Sequence, residues 1–274
     1  MLKALIIFWN EGLTYAQMFL ARRFSGAKNL RMIDIGASGL VKPKISMAFE
    51  TSELTACDPD PRAASDFQDL NFKVKFLPCA VAGVDGPQTL YLTKKSHCSS
   101  LMKPVKIDDI RYKIDREIIV DCRTLDSLGV SADIIKIDVQ GAELEILRHA
   151  KYTLLEACAV ELEVCFESLY RDQAEFSKLH EFMLSHGFAF AGFSSLYFGD
   201  TAPGSSISFG DALFVRPPQT IDEYKVTLVS LIDASLERLI THFQPKIRLV
   251  VKDRVILLAI RTIGAFKTSA PKLH

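Results

Sequence analysis

Between residues 31 and 216, short runs of β-branched and apolar residues alternate with stretches of helical periodicity, and this alternation constrains the chain more than any other feature. A strand buried on both faces reads as a short continuous apolar run. Strands separated by helices pair in parallel, so the pattern specifies a doubly wound α/β domain. Arg31 to Gly36, Glu53 to Asp58, Val74 to Ala82, Asp133 to Val139 and Ala159 to Phe166 read as successive strands. Pro61 opens a helix to Leu70, a less regular helical stretch covers Pro43 to Phe49, and the helix from Ala142 carries Leu144, Leu147, Leu154 and Leu155. An insertion precedes the fourth strand: an extended piece Thr89 to Thr93, a polar loop Ser96 to Pro104 and an extended run Ile118 to Cys122. Gln173 to His186 is a helix that Gly187 ends. Phe188 to Phe198 and Ile207 to Arg216 are the last strands, and the connection Gly199 to Ser206 is short enough to make them an antiparallel pair.

The flanks are of another kind. Leu5, Phe8, Trp9, Leu13, Ala16 and Leu20 recur at steps of three and four, so residues 1–29 read as a helical extension. The run Ala4 to Trp9 is too short for a secretory core. After Pro217-Pro218, residues 217–274 form a second helical extension with eight basic residues from Arg238 onward against Asp253 alone. Its longest apolar run, Val255 to Ile260, is bracketed by Arg254 and Arg261 and cannot span a bilayer. This basic segment either packs on its own domain or makes a peripheral contact with an anionic membrane surface. The 33 basic and 33 acidic residues cancel, so no long-range field draws the surface onto nucleic acid, which is not expected as a partner. Six cysteines without a C-x-x-C pair fit neither a zinc ribbon nor a disulfide scaffold, and a reducing cytoplasm suits them.

Three segments carry chemistry. Asp34-Ile35-Gly36-Ala37-Ser38-Gly39 is a glycine-containing turn directly after a strand, where backbone N–H groups approach a ligand closely. Ser38 and Val41 stand where a dinucleotide fingerprint needs glycines, and no phosphate-binding G-x-x-x-x-G-K-[ST] loop is present. Asp58, at the end of the second strand, is placed to accept both hydrogen bonds of a ribose diol. The third segment is Ile134-Ile135-Lys136-Ile137-Asp138-Val139-Gln140-Gly141-Ala142-Glu143-Leu144. Glu161 and Glu163 share one face of the fifth strand by period two, and His97, beside Ser99 and Ser100, is a candidate base. Asp138, Glu143 and Glu163 are oxygen donors of the type a divalent cation takes, but no fixed ligand spacing requires one.

The third segment resembles the K-I-D-V-[EQ]-G-x-E motif of FkbM-type S-adenosylmethionine-dependent methyltransferases. The resemblance extends to Met32 to Gly39, to Asp58-Pro59-Asp60-Pro61, to Cys79-Ala80-Val81-Ala82-Gly83 with Leu90-Tyr91, and to Ser99-Ser100-Leu101. It continues through Thr124-Leu125-Asp126, Val160 to Val164 with Tyr170, and Asp211 to Val215, covering roughly residues 30–216. Asp58 departs from the Glu more common in the family. The resemblance implies a class I methyltransferase, Rossmann-like fold, in which a seven-stranded sheet ends in an antiparallel hairpin. It also implies methyl transfer from S-adenosylmethionine to a hydroxyl of a sugar, glycan or other small molecule. Asp34, Gly36, Ala37, Ser38, Gly39, Asp58 and Ala80 are then expected on the cofactor side. Ser99, Ser100, Gln140 and Glu143 are expected on the acceptor side, with Asp138, Glu163 and His97 as candidate catalytic groups. A carboxylate against the sulfonium would stabilise the cationic ground state, so Asp138 suits the acceptor rather than the cofactor. N-methyl or aminopropyl transfer, and a non-catalytic cofactor-binding module assembled at a membrane, remain as alternatives; an [ND]-P-P-[YF] box is absent, since Val139-Gln140-Gly141 stands there.

Overall fold

A computed structural model describes residues 30–38, 53–63, 73–199 and 206–220, with 223, 226 and 230. Strands β1 (Arg31–Ile35), β2 (Glu53–Cys57), β3 (Lys73–Leu77), β7 (Ile134–Ile137), β8 (Ala159–Cys165), β9 (Ala189–Phe198) and β10 (Ile207–Val215) form one sheet in the order β3-β2-β1-β7-β8-β10-β9. The first five are parallel, and β10 runs antiparallel to both β8 and β9. The expected seven-stranded sheet with its terminal hairpin is present. Strands β4 (Ala80–Val81), β5 (Gly86–Thr93) and β6 (Ile114–Arg123) form a second sheet in the order β4-β6-β5.

The two faces of the large sheet differ. Ile33, Ile35, Ile135, Ile137, Val160, Leu162 and Phe214 point to one face and bury against Leu144, Ile146, Leu147, Leu154, Leu179 and Met183. Those partners come from helices α1 (Glu143–Arg148), α2 (Lys151–Glu156) and α3 (Phe176–Ser185). On the opposite face the amino half is apolar, with Met32, Ile134, Ala159, Leu213 and Val215 around Leu30 and Val226. The next row toward the carboxyl ends is ionic, since Asp34 lies beside Lys136 and Lys136 beside Glu161. Period two carries this polarity one step further to Glu163, opposite Asp211.

The sequence reading differs from this architecture in two places. The strand expected from Val74 to Ala82 is two strands in different sheets, because Pro78 has no N–H to continue the ladder and Cys79 turns back onto the Leu77 carbonyl at 2.9 Å. The single helix expected from Ala142 is α1 and α2. Asp126 from a 3-10 turn accepts the N–H groups of Tyr152 and Thr153 and the Thr153 hydroxyl, at 2.8–3.1 Å, so it caps a fresh helix start. Leu155 then points outward, 66% exposed. The N-terminal extension, the helical stretch near Pro43 to Phe49, most of the helix from Pro61 and most of the basic C-terminal extension lie outside the described residues. Among the described residues no helix is long and apolar enough to cross a membrane.

Gly36 fixes how the strand ends meet. Its φ is +79°, its N–H donates to the Cys57 carbonyl at 2.9 Å, and a Cβ there would lie 1.8 Å from the Asp138 carbonyl oxygen. A side chain is excluded by both backbone conformation and backbone contact. Gly36→Ala is expected to lower folding stability by about 2–4 kcal/mol, read from the denaturation midpoint in urea.

Candidate functional site

The carboxyl ends of β1, β2 and β7 open into a cleft of about 630 Å³, counted with its open mouth. Gly36, Ser38, Asp58, Ala80, His97, Ser99, Ser100, Asp138 and Gln140 are among its lining residues. These come from both sides of the sequence reading, so one cleft unites the expected cofactor and acceptor residues. Ala37 is buried at the turn, its N–H donating to the Cys57 carbonyl at 3.2 Å, and Gly39 lies outside the described residues.

Asp58 is buried, and among the described residues only the Asp60 N–H donates to it, at 2.7 Å. Burial pushes its carboxyl up to about 7, against that hydrogen bond and with help from Asp60, Asp34 and Asp138. Asp34 is also buried. Among the described residues its Oδ1 has no hydrogen-bond partner, and the Lys136 ammonium lies 3.5 Å away.

On the other side, Lys136 reaches Asp138 Oδ2 at 3.3 Å, and Gln140 Nε2 donates to Asp138 Oδ1 at 2.9 Å. The same Nε2 donates to Glu163 Oε2. Burial alone pushes Asp138 up, but the Lys136 charge and hydrogen bonds from Gln140, Lys136 and Glu163 bring it below the ordinary carboxylate range. Glu163 moves the other way, well above that range, through burial and the repulsion of Asp138, Glu143 and Asp211. The pair is thus polarised, the ionised form being favoured at Asp138 and the protonated form at Glu163. The Asp138 side chain is 29% exposed, and Asp138 is the pair member that lines the cleft.

Some expected roles change. Glu143 does not border the acceptor space: it accepts the N–H groups of Val139 and Gly141 at 3.1 Å and shapes the turn behind the cleft. Burial holds its carboxyl up, to about 7, despite those bonds. Glu163 reaches the cleft only through Gln140. The Ser100 hydroxyl lines the cleft but donates to the Gln140 carbonyl at 2.8 Å and accepts from the Met102 N–H at 2.9 Å, so it holds the loop. Ser99 Oγ accepts from the Thr93 N–H at 3.1 Å and from Arg62 at 3.3 Å, while Arg62 is paired with Asp60. His97 lines the cleft from an exposed turn. Among the described residues no three His, Cys, Asp or Glu side chains are grouped as metal ligands.

Sequence reasoning gave no role to Lys136, Arg62 or Tyr170. Lys136 alone carried a signal: a cation inside an apolar strand, on the face that also takes Asp34, needs a buried partner.

The sequence profile of the methyltransferase FkbM domain matches residues 42–190. No curated protein matches the chain. Among solved structures, it is similar to magnesium protoporphyrin IX methyltransferase (ChlM) from Synechocystis PCC 6803 with bound SAM, at 11% identity over 78% of this chain and 83% of that one, TM-score 0.41. It is also similar to 1,6-didemethyltoxoflavin-N1-methyltransferase from Burkholderia thailandensis, at 12% identity over 77% of this chain and 81% of that one, TM-score 0.37. Likeness at this level carries no argument about substrate.

The described residues fit S-adenosylmethionine. Asp58 lacks the two donors a ribose diol brings, and Asp34 Oδ1 is a buried acceptor in want of a donor. If the ribose is bound by ionised Asp58, protonation competes with binding. Affinity for S-adenosylhomocysteine is expected to rise ~10-fold per pH unit below about 7 and to flatten above it. Asp58→Ala should weaken binding by about 2–4 kcal/mol at pH 8 and remove the pH dependence, as measured by titration calorimetry.

Proposed function

This chain belongs to the FkbM methyltransferase family, and from that premise we propose that it methylates a hydroxyl oxygen of a sugar, glycan or secondary metabolite, with Asp138 as the group that orients and deprotonates the acceptor. When bound, S-adenosylmethionine would supply an electrophilic methyl group on a sulfonium, whose C–S bond would break as the acceptor oxygen formed its bond to carbon, releasing the neutral sulfide S-adenosylhomocysteine. Asp138 would orient the acceptor hydroxyl and take its proton.

The observation that supports this reading is the ionised, partly exposed Asp138 carboxylate, anchored by Lys136 at 3.3 Å and Gln140 at 2.9 Å on the cleft wall. A base must present a lone pair to the proton it takes and hold the oxygen in line with the methyl carbon. Gln140 tethers Oδ1 and Lys136 tethers Oδ2, so the carboxylate keeps one orientation. Burial and the neighbouring acids push the Glu163 carboxyl well above its ordinary range, which disfavours a second negative charge there.

With a hydroxyl acceptor, activity should fall as pH drops through the Asp138 titration, because only the ionised form accepts the proton. Asp138→Asn is expected to reduce kcat by roughly 10²–10⁴ while leaving the S-adenosylhomocysteine dissociation constant within about twofold. Transfer of labelled methyl groups to a panel of neutral sugars, phenols and amines tests the reading. Methylation of amines alone overturns it, and an equal loss of cofactor binding in Asp138→Asn moves Asp138 to the cofactor side.

A further inference from the structure

Tyr170 lies in the loop after β8, fully buried and edge-on to Tyr112 at 5.8 Å. Its hydroxyl is 2.8 Å from Gln140 Oε1 and 2.9 Å from the Cys98 carbonyl oxygen. Burial and neighbouring Cys98, Tyr112 and Glu163 push the phenol further above its ordinary range, so it is a neutral donor with one proton facing two acceptors. It does not line the cleft and touches no position a ligand would take.

We propose that Tyr170 is a positioning residue for methyl transfer: by donating to Gln140 Oε1 it fixes which end of the Gln140 amide faces Asp138 and Glu163. This rests on the reading of Asp138 as the base. A carboxamide has a donor end and an acceptor end of nearly equal shape. Here both Nε2 hydrogens are spent, one on Asp138 and one on Glu163. Turned about, the amide would set an oxygen against the Asp138 carboxylate and lose the charge-assisted bond to it. The backbone of Gln140 is already fixed. Its φ of +63° is a left-handed conformation that Glu143, bonded to Val139 N and Gly141 N, and Ser100, bonded to the Gln140 carbonyl, hold in place. What remains free is the side-chain torsion, and the Tyr170 hydroxyl is the group behind it. The Cys98 carbonyl of the turn carrying His97 and Ser99 stands 2.9 Å from the same hydroxyl as a competing acceptor for its single proton.

The charged and titratable groups facing Glu163 are Lys136 from β7 and Asp138 just after it, Glu143 from α1, Cys165 at the end of β8, Asp211 from β10 and, across the loop, Cys98, Tyr112 and Tyr170. Tyr170→Phe removes only the hydroxyl from this set, with its contacts to Gln140 and to the Cys98 carbonyl, and the ring packing is kept. In that variant the S-adenosylhomocysteine dissociation constant should stay within about twofold, kcat at its plateau should fall ~10-fold or more, and the acidic limb of the kcat profile should move up by about one pH unit as Asp138 loses a fixed donor. In a Gln140→Leu background the same change should add nothing to the limb. A readout independent of turnover is the infrared band of the protonated carboxyl, assigned by its loss in Glu163→Gln, whose pH midpoint should move in Tyr170→Phe. An unmoved band with an unmoved acidic limb, or a full further shift in the Gln140→Leu background, overturns the proposal. If no hydroxyl acceptor is methylated but the band moves, the acceptor reading fails and the positioning role stands. Should Tyr170→Phe not fold, 3-fluorotyrosine at position 170 keeps the ring and makes a stronger donor; the band midpoint should then move in the opposite direction, and an unmoved midpoint overturns the proposal.

Discussion

The ammonium of Lys136 is the interaction on which the site depends. It lies 3.5 Å from Asp34 and 3.3 Å from Asp138, with Glu161 and Asp211 also raising its pKa against the effect of burial. A lone buried lysine loses its proton, whereas one surrounded by carboxylates keeps it. The acids depend on it in return. Without that charge, Asp34 and Asp138 would repel across adjacent strands in a poorly solvated space, and one of them would take up a proton. Parallel pairing of β1 with β7 places Lys136 directly beside Asp34, so the register of the sheet sets the electrostatics of the cleft.

The strands serve fold and site at once by dividing their length. Ile135 and Ile137 bury against the helices, Ile134 fills the apolar half of the opposite face, and Lys136 begins its ionic half. One residue of slip would exchange these faces, placing Lys136 in the core and Ile135 among the carboxylates. Hydrophobic burial on one face therefore enforces the ion pairs on the other. The turn after β7 adds a second constraint. It must let Gly36 approach the Asp138 carbonyl and still direct the Gln140 side chain at two acids, which Glu143 makes possible by accepting two N–H groups of that turn.

Much of this was legible in the sequence because the signals are local. Continuous apolar runs and helical periodicity located every strand of the large sheet, and the acids Asp34, Asp58 and Asp138 announced themselves by standing at or near strand ends. Long-range partners were not legible. Nothing in Lys151 to Glu156 shows that Asp126, from before β7, caps a new helix there. Glu143 looks like any first-turn acid until its carboxylate is seen to accept from Val139 and Gly141. Pro78 was present as a break, but the apolar residues on both sides masked the change of sheet. Tyr170 lies thirty positions from Gln140, and the two meet only because the loop after β8 folds back against the turn after β7.

The charge arrangement also answers a difficulty inherent in moving a methyl group from a cation. Acidic groups around the cleft favour a sulfonium over the neutral sulfide left after transfer, which helps exchange product for cofactor. A bare carboxylate at the reacting centre would stabilise the ground state more than the charge-dispersed transition state and slow the reaction. In this structure Asp138 is paired with Lys136, and burial with neighbouring acids pushes the carboxyl of Glu163 well above its ordinary range. Lys136 thus offsets part of the negative charge around Asp138. Asp58, whose charge is not offset by a cation partner among the described residues, stands on the other side of the glycine turn, and if it holds the ribose as proposed it does so without opposing the loss of charge on sulfur. The separation follows from strand order: β2 carries the unpaired acid, β7 the paired one, and β1 with its glycine turn stands between them.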